Sequence, residues 1–549
     1  MSELLHETIG EMLERQVERY HSREAVVYSK EGLRYTFKEF NEEVDRTAKA
    51  LMNLGVEKGE HVAVWATNVP EWLLLQFATA KVGAVLVTVN TNYQSTELEY
   101  VLKQSDATRL FLINGFKGTS YPEAFLSLLK RDDKIVNGSC AIGALPHLTD
   151  VVYIGSDRYE QFKSWHAFVD GYKNIPENQL QERKESLTPD EVINMQYTSG
   201  TTGFPKGVML THANILNNGY HIGQCMELSE KDRLCIPVPF FHCFGCVLGT
   251  LAAFSSGASI FPIVEFDPEQ VLETVEKEKC TALHGVPTMF ISELNLPSFS
   301  KYDLKTLRTG IMAGSPCPIE VMKKVMDEMN MAEITIAYGQ TEASPVITQT
   351  RTNDPVDYRV NSVGKALPEV EVKIVDPVTG NDVGTNVTGE LCTRGYHVMK
   401  GYYKMPDETR EAVDNEGWLH TGDLAEMDEE GYVKITGRLK DMIIRGGENV
   451  YPREIEEFLY THPAVLDVQV IGIPDEKYGE KVVACIQKKE GHDLTEADIL
   501  EYCQNKIARY KTPAHVFFID HYPMTASGKI QKYRLRETAV KWVEQNTGV

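Results

Sequence analysis

Tyr197-Thr-Ser-Gly-Thr-Thr-Gly-Phe-Pro-Lys-Gly207 gathers hydroxyl residues, glycines and one lysine into a single short segment. Glycines let backbone N–H groups approach an oxyanion closely. Thr198, Ser199, Thr201 and Thr202 add O–H donors, Gly200 and Gly203 leave the space, and Lys206 adds positive charge. That combination suits phosphate oxygens. It is not the nucleotide P-loop pattern: Gly207, not Ser or Thr, follows the lysine, so the hydroxyl that holds magnesium there is missing. The loop alone leaves an ordinary Gly/Ser/Thr surface turn open as an alternative.

Four further segments carry reactive side chains. Ile336-Ala-Tyr-Gly-Gln-Thr-Glu342 ends a β-like run with a hydroxyl and a carboxylate, suited to an end-of-strand Mg·phosphate contact. His420-Thr-Gly-Asp423 puts a carboxylate on a turn, where it can hydrogen-bond a ribose diol. Gly437-Arg-Leu-Lys-Asp-Met-Ile-Ile-Arg-Gly-Gly-Glu448 falls where the texture of the chain changes. Pro523-Met-Thr-Ala-Ser-Gly-Lys-Ile530 sets Lys529 on a glycine-containing loop. Each taken singly also reads as a turn, a solvated acid, a linker or a surface lysine.

The elements that must hold these segments follow from hydrophobic periodicity. Strands are predicted at 61–65, 84–89 and 109–113, with helices at 71–80 and 96–103 between them. The rhythm returns over 232–337, with helices at 267–279 and 318–329. The phosphate-type loop lies between apolar runs 192–195 and 208–210, hence strand–loop–strand. Two mostly parallel α/β sheets result. Over 361–435 alternation and Gly turns predict a β-rich section, a distorted barrel. Beyond Gly437 a helix opening on Pro452, strands at 465–471, 482–487 and 515–519, and a helix near 496–507 predict a small α+β domain.

Composition limits the partners. The 549 residues carry a net charge of −23, with 42% hydrophobic and 25% charged. The length requires several subdomains, and so acidic a surface excludes a general nucleic-acid binder. An anionic ligand must therefore be held by local amides and cations. Residues 234–264 carry no charge, but Pro237, Pro239 and Ser255-Ser256-Gly257 break the run into a buried helix (245–254) and a strand (258–263), so no transmembrane segment is expected. The N-terminal stretch has neither signal-peptide nor transit-peptide character. The ten cysteines are scattered, which predicts reduced thiols and a cytoplasmic protein. Cys243 and Cys246 have C-x-x-C spacing among apolar neighbours and read as packed core thiols.

In this order and spacing, the five segments resemble the adenylate-forming (AMP-binding) superfamily, specifically the acyl-CoA synthetases. The likeness spans 36–536 and is strongest to bacterial medium- and long-chain fatty acyl-CoA synthetases. The resemblance implies a large N-terminal domain (1–439) of two α/β sheet subdomains plus the distorted β-barrel. It also implies a small mobile lid (440–549) hinged at Lys440. The implied reaction joins a carboxylate to ATP, giving acyl-adenylate and pyrophosphate; the thiol of coenzyme A then displaces AMP.

Carried over residue by residue, the resemblance assigns Thr198 through Gly203 and Lys206 to the departing phosphates, Glu342 to Mg²⁺ and Thr341 to the α-phosphate. Gly314, Ser315 and Pro316, with Ile336, Ala337, Tyr338, Gly339 and Gln340, line the adenine. Asp423 and Arg438 take the ribose, and Lys529 bridges carboxylate and α-phosphate. Gly446, Gly447 and Glu448 meet coenzyme A after the lid turns, and His242 gates the acyl pocket from the CoA tunnel. Phe241, Val247, Met289, Met312 and Ala313 are apolar or small, as a hydrocarbon tunnel needs; each reads equally well as core. Gly339 leaves unplugged a pocket that a larger residue would close, which argues against acetate alone. No Asp stands in the motif where amino-acid-activating relatives pair the substrate ammonium.

A medium- to long-chain fatty acid is therefore the expected substrate. The competing readings are an acyl-AMP ligase loading a carrier protein, an aryl- or branched-acid CoA ligase, a luciferase-like monooxygenase, and a nucleotide sensor without chemistry. The expected partners are the small carboxylate, ATP and coenzyme A, with a homodimer as the one protein partner left open.

Overall fold

The structure, a computed structural model, describes residues 4–155, 159–198, 205–315, 317–445, 448–475, 477–504, 506–524 and 530–547. Two large sheets organise the first part. In one, the strands Glu24–Tyr28, Ser259–Pro262, Arg233–Ile236, Ala282–Gly285, Thr309–Ala313 and Glu333–Gly339 lie side by side and parallel. Antiparallel strands border this array, Leu33–Thr36 on one side and Val346–Gln349 then Lys365–Ala366 on the other.

In the other large sheet, Val192–Thr198, Val85–Thr88, His61–Trp65, Arg109–Ile113 and Asp150–Ile154 form the parallel centre. Lys206–Thr211 returns antiparallel beside Val192–Thr198 and is edged by Gly401–Tyr402. Strands such as Arg109–Ile113 and Thr309–Ala313 are buried along their whole length, as parallel strands covered on both faces must be.

The β-rich region is an antiparallel row of four strands: Val370–Val375, Gly389–Gly395, Leu419–Met427 and Val433–Arg438. Among the described residues no ladder joins its first strand to its last, so the expected barrel is an open one. Beyond it, Ile443–Arg445, Glu448–Val450, Val465–Asp475, Gly479–Lys488 and His515–Phe518 build a separate sheet. The helix Pro452–Tyr460 and the helix Glu496–Cys503 accompany it, the first with Pro at its start as the sequence predicts. One continuous core runs from Ile9 to Val433, whereas two smaller cores draw only on residues from Ile443 onward.

The uncharged run 234–264 differs from the simple helix expected. Phe244–Leu251 is a π-helix that passes into the α-helix Ala252–Ser256. Its carbonyl at Cys246 accepts from Gln76 Nε2 (2.8 Å) and from Thr250 Oγ1 (2.6 Å), side-chain partners that make a widened turn affordable. A Cβ at Gly245 would stand 2.3 Å from the Pro239 carbonyl oxygen, so the entry to this helix presses against backbone. Cys243 and Cys246 are both buried and unbridged, and Gln196 Nε2 donates to the Cys246 sulfur at 3.2 Å. Among the described residues no helix is long and apolar enough to cross a membrane.

Buried histidines tie this packing to acidity. His212 Nδ1 accepts the Ile9 amide (3.2 Å), and His284 Nδ1 accepts the Ile311 amide (3.2 Å) while Nε2 donates to the Leu248 carbonyl (3.0 Å). Burial pushes them down to about 3 and about 4, respectively. In the unfolded chain both titrate near 6.5, so below that pH the unfolded state binds protons that the fold refuses. Stability is full above about pH 6.5 and falls as acidity rises, by about 1.4 kcal/mol per pH unit for each histidine until its folded value is reached. A denaturant midpoint measured between pH 7 and pH 4 should decline accordingly, and His284→Asn should flatten the decline.

Candidate functional site

Thr198 and Lys206 are cross-strand partners at the mouth of the phosphate-type loop. Ser199, Gly200, Thr201, Thr202 and Gly203 lie outside the described residues. Lys206 Nζ sits 4.8 Å from the centroid of the Tyr402 ring, a cation–π contact that holds the ammonium beside the loop. The Tyr402 hydroxyl donates to Glu342 Oε1 at 2.8 Å, and the Thr198 hydroxyl faces the same oxygen at 3.5 Å. One carboxylate, one ammonium and two hydroxyls thus converge from three separate chain segments. Glu342 is a hard oxygen donor next to the loop mouth, which fits a magnesium ion delivered with a polyphosphate.

Glu342 reaches this place because Glu333–Gly339, the last parallel strand of its sheet, ends there and a short 3₁₀ turn, Thr341–Ala343, carries the chain across the sheet end. Ligands of open α/β sheets gather at the carboxyl ends of strands for this reason. Ile336 and Ala337 are buried in the strand, and Thr341 is buried at the turn. Gly314 and Ser315 follow the neighbouring strand Thr309–Ala313; Pro316 is outside the described residues.

Gly339 has a steric reason of its own. A Cβ there would lie 1.8 Å from the Pro345 carbonyl oxygen, across the ladder where Gly339 faces Val346. Its identity is therefore set by backbone packing as well as by any pocket. Gly339→Ala should destabilise the fold at the upper end of overpacking costs, about 1–3 kcal/mol, because the obstructing atom belongs to backbone. A lowered melting temperature together with weakened nucleotide binding is the expected pair of readouts.

The second cluster surrounds Asp423. Tyr338 Oη donates to Asp423 Oδ2 at 2.8 Å, and Arg438 Nε donates to Oδ1 at 3.1 Å. Asp423 and Arg438 are cross-strand partners between Leu419–Met427 and Val433–Arg438. Burial, then the Asp423 carboxylate, pushes the Tyr338 phenol well above its ordinary range, and Asp423 in turn raises Arg438. Asp423 is buried and oriented, with its pairing already made from two sides. Between Leu419 and Leu424 the strand departs from regular register; Gly422 adopts φ +69, a left-handed conformation that glycine takes at no steric cost. That irregularity turns Asp423 toward Tyr338. Glu390 holds it: Oε1 accepts the Gly422 amide at 3.0 Å.

The apolar candidates also meet at the first sheet's carboxyl ends. Met312 and Ala313 close Thr309–Ala313, and Met289 lies on the helix Pro287–Leu294 that follows Ala282–Gly285. Val247 belongs to the π-helix, and Phe241 precedes it; all five are buried. His242 is half-buried, and its Nδ1 accepts the Phe244 amide at 3.2 Å. The segment lies within electrostatic reach of Glu342: burial and Cys246, with a further contribution from the Glu342 carboxylate, raise the Cys243 thiol well above its usual range. Lys440 is exposed. Lys529, Gly446 and Gly447 lie outside the described residues; Glu448 opens the strand Glu448–Val450.

Three contributors escaped the sequence reading. Tyr402, sixty residues from Glu342 in sequence, meets it only because Gly401–Tyr402 edges the Lys206–Thr211 strand. The Tyr338 hydroxyl was read as adenine lining, not as the partner of Asp423. Glu390 carried one faint signal, a lone acid beside the apolar pair Leu391-Cys392 in the strand Gly389–Gly395.

The chain matches the family model described as AMP-binding enzyme over residues 13–403 and that of the AMP-binding enzyme C-terminal domain over 454–529. It is 60% identical over 541 residues to YngI of Bacillus subtilis (strain 168), a protein named as an acyl-CoA synthetase, covering 98% of both chains. To the mitochondrial medium-chain acyl-CoA ligase ACSF2 of Danio rerio it is 42% identical over 537 residues, covering 97% of this chain and 88% of that one. The crystal structure of ATP-bound MatB from Rhodopseudomonas palustris superposes with a TM-score of 0.83 at 28% identity, covering 97% of this chain and 99% of that one.

Proposed function

The chain belongs to the AMP-binding enzyme family, and from that premise we propose that it is an AMP-forming acid–thiol ligase that converts a medium- to long-chain fatty acid, through its acyl-adenylate, into the coenzyme A thioester. The observation that carries this reading is a pair of prearranged polar clusters, one offering an ammonium and hydroxyls beside a carboxylate, the other a carboxylate acceptor held by two donors. Glu342 meets Thr198, Tyr402 and Lys206, and Asp423 meets Tyr338 and Arg438; on this reading the first cluster takes the polyphosphate and the second the sugar.

The first half-reaction must bring two anions, a carboxylate and an α-phosphate, into contact. Holding both in line is worth about 7–11 kcal/mol, and each preorganised donor aimed at developing charge adds a factor of about 10²–10³. Asp423 accepts the ribose hydroxyls and fixes the nucleotide's orientation. Thr198, Lys206 and the loop between them bind the departing pyrophosphate. Glu342 would hold the magnesium that accompanies ATP, which supplies charge neutralisation at the phosphates when bound. Lys529 neutralises charge between the carboxylate and the α-phosphate. Burial of Phe241, Val247, Met289, Met312 and Ala313 keeps the acyl end dry.

For the second half-reaction we assign 1–439 to the large domain and 440–549 to a lid that turns about Lys440. Gly446, Gly447 and Glu448 would then replace Lys529 and admit the thiol, so one cavity excludes water for adenylation and later receives coenzyme A. Lys440→Pro should stiffen this joint, slowing thioester formation by about tenfold or more while adenylation stays near wild type. Stopped-flow separation of the half-reactions reads both, and equal slowing of the two would remove Lys440 from the hinge.

The activity test is AMP release with octanoate, with and without coenzyme A. A panel of fatty and aryl acids from butyrate to palmitate, scored by pyrophosphate release, then ranks the substrates. CoA-dependent turnover, best with fatty acids of intermediate or greater length, is the expected result. Pyrophosphate release with no CoA-stimulated AMP release would favour loading of a carrier protein, and a preference for aryl acids would overturn the fatty-acid assignment.

A further inference from the structure

We propose that Glu390, Cys392 and His420 form a three-ligand site for a soft divalent cation of the zinc class, separate from the magnesium that travels with ATP. Their donor atoms all lie within 4.8 Å of one another. The strands arrange this directly. Glu390 and Cys392 stand two apart on Gly389–Gly395, so their side chains share a face, and His420 is the cross-strand partner of Cys392 on Leu419–Met427.

Two of the three separations lie close to those of tetrahedral coordination. A zinc ion at its usual bond lengths holds a thiolate sulfur and an imidazole nitrogen about 3.6 Å apart, and that nitrogen and a carboxylate oxygen about 3.3 Å apart. Here Cys392 Sγ lies 3.4 Å from His420 Nδ1, and Nδ1 lies 3.0 Å from Glu390 Oε2. Both distances converge on the same ring nitrogen. The other nitrogen, Nε2, faces Asp414 Oδ2 at 3.7 Å; a carboxylate behind a ligating imidazole fixes the ring and keeps the proton off the metal side. Asp414 itself is anchored, its Oδ1 accepting the Glu416 and Trp418 amides at 2.8 and 2.9 Å.

The donor set selects the ion. One sulfur, one nitrogen and one oxygen suit zinc or its neighbours and are poor for magnesium or calcium, which take oxygen. On binding, the Cys392 S–H bond breaks, a sulfur–metal bond forms, and the proton leaves to solvent; His420 binds through its unprotonated Nδ1 with the hydrogen on Nε2. Three protein ligands leave a fourth position for water on the half-exposed His420 side. Glu390 ligates through Oε2 while Oε1 still holds the Gly422 amide, so the site stands directly behind the turn that aims Asp423.

The test uses the full chain, stripped with a chelator and titrated with Co²⁺ as the spectroscopic probe. A thiolate-to-cobalt charge-transfer band should appear, saturate at one equivalent and be bleached by Zn²⁺ but not by excess Mg²⁺. Cys392→Ser should abolish the band, and Cys140→Ser should leave it intact. Asp414→Asn, which spares all three ligands, should weaken Co²⁺ binding by about ten- to a hundredfold. Absence of the band in the wild-type protein, or its survival in Cys392→Ser, would overturn the proposal and leave the cluster a hydrogen-bonded network only. Displacement by Mg²⁺ would do the same.

Discussion

Lys529→Ala is expected to lower pyrophosphate release by about 10²–10³-fold or more, yet to leave conversion of supplied acyl-adenylate to the thioester close to the wild-type rate. The asymmetry follows from where charge is concentrated. In adenylation a carboxylate must approach a phosphate already burdened with negative charge, inside a protein whose own net charge is −23. Local cations alone can offset that repulsion. In thioester formation the carboxyl is already joined to the phosphate as a mixed anhydride, and the lysine has no second anion to bridge. Met524 and Ile530, the described residues that flank Lys529 in sequence, form a β-bridge, and the Gln531 amide donates to the Pro523 carbonyl at 2.7 Å. Quenched-flow assay of each half-reaction decides the matter. Equal loss in both would mean that the lysine supports the fold or the lid and not the chemistry.

Asp423→Asn should raise the KM for ATP and lower kcat/KM by about 10- to 150-fold, the equivalent of the 1.5–3 kcal/mol carried by a hydrogen bond to a charged group. The amide retains the shape of the acid but withdraws the charge that Tyr338 and Arg438 have been arranged around. The side chain also loses an acceptor: its NH₂ can only donate, so one of Tyr338 and Arg438, which donate to different carboxylate oxygens, is left facing a donor. The KM for coenzyme A should hardly move, because the thiol arrives after the nucleotide is seated. A matching rise in both KM values would place the effect in the fold, and a fall in melting temperature would accompany it.

Much of this arrangement was readable from residue order. The apolar runs flanking the phosphate-type loop became Val192–Thr198 and Lys206–Thr211, and the strand predicted at 109–113 is found at Arg109–Ile113. Such segments are legible because a buried parallel strand needs an uninterrupted apolar run and a helix start needs its proline or cap. The π-helix was not legible, since it depends on Gln76, more than a hundred and fifty residues earlier, reaching the Cys246 carbonyl. Tyr402 and Glu390 escaped for the same reason. Each acts through a partner far away in sequence, and such tertiary pairing leaves no periodic trace in a single chain. The resemblance supplied roles for Asp423 and Glu342, and the geometry supplies the neighbours that orient them.

Arg438 is the last residue of its strand, two positions before Lys440. The Leu439 amide donates to the Gly422 carbonyl at 2.9 Å, while the Asp441 and Met442 amides both donate to the Arg438 carbonyl. The proposed hinge is thus hydrogen-bonded to the same short turn that carries Asp423. If Asp423 holds the sugar and Lys440 is the hinge, as proposed, nucleotide release and lid reset would be mechanically linked through this one turn.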